Sequence, residues 1–430
     1  MKAKYLLILL PLLASLAFAQ TFEGDGGQGG IIFELGGSAR SLAMGQAYSA
    51  IADQGECMLY NPAGLGQIRT TKIGLMGGLL YGGAMQSVVT ANMPLATYGT
   101  IGLTYTGAFA SLDEDDILDE NGEPISGTAK MNSSGLIVTY GKKVKFIGFG
   151  VSPKIMLGVL GDEQAFGFDA DLGAIIYPAS LNPKWSYDLV TIGLSVKNLL
   201  GSTMDYTGSE ESPANPRVVR AGLGLRIPGE MVIGDFDITY ALDETGVLGW
   251  YGGLEFNPVD IISLRGGVNK NFISAGLGLH FDLARSVGMD VDYAIMMNYG
   301  AGPQMLDELH KVSFNLELRN VAGLWVTVSP SVLSSTEYAD IAVFGASQYY
   351  GKTKRWVFEI YDALGTVRYR QSRDVIDPDR DALPSEFKWS GLDNIKGGQV
   401  KNGWYFYRFT IIDNLGDQIV YKGKLLKVER

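Results

Sequence analysis

The 430-residue chain is poor in most of what catalysis and membrane helices require. After residue 20 no apolar run approaches the roughly 18 residues that a membrane-crossing helix needs, so a bundle of such helices is excluded. Histidine occurs twice, at His280 and His310, and neither has a partner at the spacing of a metal site or a catalytic triad. No enzyme activity, metal site or cofactor is therefore expected. Cysteine occurs once, as Cys57, so no internal disulfide can form, and the residue reads as a small buried apolar group. Charge is scarce, at 19% of residues against about 25% in soluble domains. The net charge of −11 is uneven: residues 321–430 hold 15 basic and 13 acidic groups, leaving 20 and 33 for the rest. No basic stripe exists, which excludes nucleic acid as a partner.

Glycine, tyrosine and phenylalanine are abundant instead, at 57, 22 and 18 residues. The aromatic content rules out disorder, and the glycines follow no collagen triplet. The N-terminus reads as an export signal. Lys2 and Lys4 precede an apolar stretch from Leu6 to Leu16, and Ala17-Phe18-Ala19 offers small residues for cleavage, so residues 1–19 are a signal peptide. No cysteine follows the cut, which argues against a lipoprotein.

From Lys72 to about Arg319 one theme repeats. Ile273, Ala275, Leu277, Leu279 and Phe281 alternate with Ser274, Gly276, Gly278, His280 and Asp282. Period two places each set on one face of a sheet. Fourteen such segments are predicted, near 72–81, 85–93, 99–109, 131–141, 144–158, 167–177, 188–198, 216–227, 233–243, 247–256, 260–268, 272–282, 286–296 and 308–318. An even number of tilted strands with alternating short and long connections is the pattern of an outer-membrane barrel. The sixth connection, Pro178 to Tyr187, is longer than that pattern predicts. A soluble sandwich would also alternate but would carry more charge on its polar face. The fold class expected is all-β: a 14-stranded antiparallel transmembrane β-barrel with an N-terminal plug, plus a small C-terminal β-sandwich. The plug spans 20–71, the barrel 72–320 and the sandwich 321–430, with a linker near Ser329-Pro330. Four of the six tryptophans fall in the last part.

Candidate chemistry is thin. Gly24 to Gly30 lacks the preceding strand and the Gly-Lys-Ser/Thr of a phosphate loop. Asp113, Glu114, Asp115, Asp116 and Asp119 crowd one connection, but the EF-hand spacing fails and a solvated outer loop is the reading. Arg220, Arg226, Arg265 and His280 are lumen-facing candidates, together with Lys311, Glu317 and Arg319. Charge there pairs across a lumen or guides an anionic head group.

Gly36-Gly37-Ser38-Ala39-Arg40-Ser41-Leu42-Ala43-Met44-Gly45-Gln46-Ala47, with Tyr60-Asn61-Pro62-Ala63-Gly64-Leu65, resembles the opening of PorV/PorQ-type outer-membrane proteins of the FadL-like barrel superfamily. Residues 36–47 and 60–65 are the specific part of the match, and the strand motifs are weaker. The resemblance implies that Asn61, Pro62, Ala63 and Gly64 form a hatch that gates the lumen. FadL-like members pass long-chain fatty acids or other hydrophobic molecules through a lateral opening. PorV-like members serve type IX secretion, which implies secretion components or cargo as alternative partners. Cys57, with Gln54-Gly55-Glu56, departs from the small residues of relatives. Trp389-Ser390-Gly391 and Gly403-Trp404-Tyr405-Phe406-Tyr407 resemble the FlgD-type immunoglobulin-like module. The expectations are thus an outer-membrane location with lipid and lipopolysaccharide as surroundings, a hydrophobic ligand, and a periplasmic C-terminal domain.

Overall fold

A computed structural model describes residues 32–428 apart from 81–83, 113–128, 161–162, 179–188, 207–214, 228–229, 244–247, 260, 285, 299–307, 324, 330–331, 335–337, 345–352, 364, 377–382 and 415–417. The signal peptide expected at residues 1–19 and the acidic cluster after Leu112 lie outside the described residues.

Period-two alternation builds a closed wall. Its strands are β1 (Thr70–Leu79), β2 (Met85–Pro94), β3 (Thr100–Leu112), β4 (Ala129–Val144), β5 (Ile147–Leu160), β6 (Glu163–Ile176) and β7 (Val190–Lys197). After a two-residue piece, β8 (Asp205–Tyr206), come β9 (Val218–Arg226), β10 (Val232–Ala241), β11 (Leu248–Val259), β12 (Ile262–Asn269), β13 (Phe272–Ala284), β14 (Val287–Asn298) and β15 (Glu308–Gly323). Neighbours in sequence pair antiparallel around the wall, and β15 returns to β1 to close it. Setting β8 aside, the barrel has fourteen strands.

The wall is apolar outside and polar inside, the inverse of a soluble sandwich and the arrangement of a transmembrane barrel. On β2, Met85, Val89 and Met93 are exposed while Gln86, Thr90 and Asn92 are buried. On β6, Phe166, Phe168 and Leu172 face out while Asp169 and Asp171 face in. No described helix is long and apolar enough to cross a membrane.

Residues 32–69 fill the lumen as a compact hatch, and their buried side chains share one cluster with inward wall residues such as Ile137, Met156 and Ala294. Beyond β15, two sheets pack face to face around a second, separate core. One holds β16 (Trp325–Ser329), β18 (Ala339–Phe344) and β21 (Glu386–Trp389). The other holds β17 (Val332–Leu333), β23 (Gln418–Lys427), β22 (Gly403–Asp413), β19 (Thr353–Asp362) and β20 (Val367–Asp374). Aromatic side chains dominate that core, with Phe358 stacked on Phe387 at 4.2 Å between ring centroids. The end of the barrel where β15 finishes is called the lower end below.

Candidate functional site

The hatch is built from short capped turns because its sequence offers small residues and caps but no long periodic run. Ser38 caps a five-residue helix, α1 (Ala39–Ala43), and Ser41 returns the bond in a capping box. Asn61 caps the 3-10 turn Pro62–Gln67: its Oδ1 accepts from Ala63 N at 3.1 Å. The same side chain reaches two other backbones, donating through Nδ2 to Ser49 O at 2.9 Å and to Ala174 O on β6 at 3.1 Å. Asn61 thus ties its own turn, the neighbouring hatch loop and the wall together. Pro62, Ala63 and Gly64 lie buried beside it.

Wall glycines admit the hatch backbone. A Cβ on Gly173 would overlap the Asn61 side chain, and one on Gly150 would overlap the Pro62 backbone. A Cβ on Gly193 would strike Ser49, one on Gly253 would strike Met44, and one on Gly267 would strike Gly45. In each case the obstacle includes backbone or a buried polar side chain, so glycine is required by close approach.

Two aspartates of β10 hold the loop between these contacts. Asp235 and Asp237 are two residues apart, so both point inward. Asp237 Oδ2 accepts from Tyr48 N at 3.0 Å and Ser49 N at 3.1 Å, and its Oδ1 accepts from Ser49 Oγ. Asp235 Oδ2 accepts from Ala50 N and Ile51 N, both at 3.0 Å. Four consecutive hatch amides are therefore satisfied by wall carboxylates, and Arg220 approaches Asp237 at 3.2 Å.

A second tie is ionic. Arg40 Nε donates to Glu255 Oε2 at 2.7 Å and Nη1 to Asp53 Oδ1 at 2.5 Å. Arg226 meets Asp53 at 3.4 Å and donates to Ile51 O at 2.7 Å. Arg265 donates to Glu255 at 2.6 Å and to Asp292 at 2.6 Å. Arg226, Asp53, Arg40, Glu255, Arg265 and Asp292 form one chain of alternating sign from hatch to wall. Burial alone would raise the Asp53 carboxyl, but Arg40 and Arg226 outweigh it and hold that group well below the usual range. Glu56, which accepts from Ser38 Oγ at 2.8 Å, is shifted the other way by burial.

The remaining candidates divide by face. His280 bonds Asp290 at 2.5 Å near the lower end of β13. His310 lies on the outer face, half exposed and stacked on Tyr293 at 6.0 Å. Lys311 is buried and donates to Gln86 Oε1 at 2.8 Å, while Arg319 meets Asp282 at 2.6 Å. No cluster of metal-binding side chains occurs among the described residues. Cys57 is fully buried in the hatch and its thiol is pushed well above the usual range by that burial. Maleimide should therefore leave it unlabelled in the folded barrel and react on denaturation; rapid native labelling would show that the hatch is not seated as described. Below the hatch, a cavity of about 1030 Å³ opens towards the sandwich, bordered by charged groups including Lys72, Glu230, Asp282 and Lys424 and by Tyr407 and Tyr421.

In the sequence Arg40 stands out only as part of a motif, and Asp235, Asp237 and Glu255 belong to none. Acids at alternate positions of a strand whose polar face is the lumen are the signal that could have marked the β10 pair.

No protein-family profile matches the chain. No curated protein matches it either. Among solved structures, the chain is similar to the deltaS2S3 mutant of the TodX monoaromatic hydrocarbon channel at 13% identity, covering 66% of this chain and 100% of that one with a TM-score of 0.48. The toluene transporter TodX of Pseudomonas putida is 12% identical, with 67% and 99% covered and a TM-score of 0.46. A Pseudomonas aeruginosa FadL homologue is 10% identical, with 66% and 98% covered and a TM-score of 0.44. The fold rests on the strand order itself, which stands without these likenesses.

Proposed function

We propose that the protein is an outer-membrane barrel that passes hydrophobic small molecules, with the hatch around Asn61 to Gly64 as its gate and residues 321–430 as a periplasmic immunoglobulin-like domain. The observation that carries this reading is the hatch. It is a separate segment seated in a lumen whose wall is apolar outside and polar within, and it is held there by hydrogen bonds and ion pairs. Such ties can exchange for water when the segment shifts, while the apolar contacts the hatch shares with the wall must part for it to move. The apolar girdle would sit in lipid, with lipopolysaccharide above it. The chain is proposed to act without catalysis.

The reading is tested by native mass spectrometry of gently extracted full-length protein and by uptake of toluene and dodecanoate into proteoliposomes. Co-purifying amphiphiles and protein-dependent uptake are expected; their consistent absence would overturn it. A second reading is a PorV-like secretion shuttle in which the sandwich, which has a core of its own, would hold cargo. In the same membranes, capture of secreted proteins together with normal uptake in a variant ending near Arg319 would assign that role to the sandwich.

A further inference from the structure

The cavity below the hatch is lined unevenly. Its upper end is polar and belongs to the ionic chain of Arg40, Glu255, Arg265 and Asp292. Its lower side is apolar, bordered by Ile227, Val259, Ile261 and Leu283 of the barrel rim and by Val328 of the sandwich. The four rim side chains are between 42% and 59% exposed, so the rest of the chain leaves much of them uncovered. Tyr407 and Tyr421 of the sandwich border the same space, stacked with ring centroids 6.4 Å apart. At about 1030 Å³ the cavity stands at the top of the range for small-molecule sites.

At the polar end the cations already have partners. Arg40 meets Asp53 and Glu255, Arg226 meets Asp53, and Arg265 meets Glu255 and Asp292. Arg319 meets Asp282 and Lys72 meets Glu317, while Lys424 lies over the Trp404 ring at 5.8 Å.

Acceptors are left over. Asp292 is 2% exposed, and its Oδ1 accepts from Arg265 Nη1 at 2.6 Å. Its Oδ2 has no hydrogen-bond partner among the described residues. Gly278 makes room for this pair, since a Cβ there would lie 2.6 Å from both Asp292 Oδ1 and Arg265 Nη1. Asn257 Nδ2 donates to Glu230 O at 2.7 Å and to Glu255 Oε1 at 3.1 Å. Two acceptors fix the orientation of that amide, and its buried Oδ1 is likewise without a donor among the described residues. Glu255 and Arg265 join the two residues, so both oxygens belong to one side of the cavity. A buried acceptor without a donor is costly, and an ordered water or a ligand is the usual partner for one. That partner must donate, and beside a carboxylate a cationic donor makes the stronger bond.

We infer that the cavity binds an amphiphile with a primary ammonium head, the head at Asp292 and Asn257 and the tail along Ile227, Val259, Ile261, Leu283 and Val328. An ammonium carries three donors and no acceptor, which suits two oxygens that lack donors. A carboxylate head would find the arginines already paired and would face Asp292 with like charge. The tyrosine rings give the tail a flat apolar surface. Barrel and sandwich build the site jointly, and neither completes it alone. The inference goes beyond the transport reading, because it concerns binding at equilibrium and asks nothing of the hatch.

Three probes with one tail and different heads test it: octylamine, octan-1-ol and octanoate. Near neutral pH the amine is an ammonium and the acid a carboxylate. Each is titrated calorimetrically into full-length protein held in amphipol. The amine should bind about tenfold or more tightly than octanoate, with octanol between them. Asp292→Asn should lower the affinity for the amine about tenfold and leave octanol within about twofold. Octanoate binding as tightly as the amine would overturn the site and leave water as the partner of these oxygens. So would an Asp292→Asn barrel that still migrates as folded without boiling and binds the amine as before. A photoactivatable alkylamine gives a readout that needs no variant. Its crosslinks should fall both near Ile261 on the rim and near Val328 in the sandwich, and excess octylamine should displace them. Crosslinks confined to outward residues such as Leu264 and Leu277 would be partition into the apolar girdle and would overturn the site. None of these outcomes bears on uptake of toluene or dodecanoate, so the transport reading stands or falls separately.

Discussion

Gly267→Val unseats the hatch, whereas Gly266→Val leaves it in place. The two glycines are adjacent on β12, so their side-chain positions point to opposite faces of the wall. At 267 a Cβ would enter the space of Met44 and Gly45 backbone atoms, which cannot turn aside as a side chain can. Gly45 sits at φ 64°, so the hatch chain there is already in a left-handed bend with little freedom to retreat. Overpacking of this kind costs about 1–3 kcal/mol even where side chains can adjust, and more is expected against backbone. At 266 nothing lies within 4 Å, and a branched side chain suits an exposed strand facing hydrocarbon. Limited proteolysis and planar-bilayer conductance check the pair. The 267 variant should show new cleavage between residues 32 and 69 and a larger conductance, with a barrel that still migrates as folded without boiling. Indistinguishable behaviour of the two variants would refute the close approach of hatch and wall.

Arg40→Met should loosen the hatch by electrostatics alone. Arg40 is 4% exposed, and its guanidinium serves Glu255 and Asp53 together. Removing one partner from a buried ion pair typically costs about 3–5 kcal/mol, because the carboxylates left behind have lost their compensation. Arg226 and Arg265 remain near Asp53 and Glu255, which places the expected loss at the lower end of that range. The comparison is Arg217→Met, which breaks a pair with Asp243 in which the arginine side chain is 48% exposed. An exposed pair of this kind contributes little, because water screens it. Hydrogen exchange across residues 32–69 reads the difference, and adding Glu255→Met to Arg40→Met should recover part of the protection. Unchanged exchange in the Arg40 variant would show that the ionic chain does not hold the hatch.

Strand positions were legible because the signal is local. Each wall strand repeats with period two, so Ile273 to Phe281 could be assigned to one face without knowing any neighbour, and the fourteen predicted segments overlay the fourteen wall strands. Arg220, Arg226 and Arg265 could be placed on the polar face by the same rule. Their partners could not. Arg40 and Glu255 are 215 residues apart, and periodicity gives a direction without saying what lies opposite. The short ladder between β6 and β7, from Leu172↔Val196 to Ile176↔Ile192, was also hidden. It depends on where β7 stops pairing and on the turn at Asn198 to Ser202, a backbone matter that residue types suggest only weakly.

By itself, then, the sequence determined an apolar-outside barrel of fourteen strands and a separate aromatic-rich β unit after it. Each of those follows from composition or from repetition within about ten residues. Only the tertiary structure decided why the chain needs so many glycines, and which carboxylate each arginine meets. Closing the sheet brings distant strands around one hatch. The sites of contact are fixed by that closure, since shape and charge must match across a lumen that no local stretch of sequence describes.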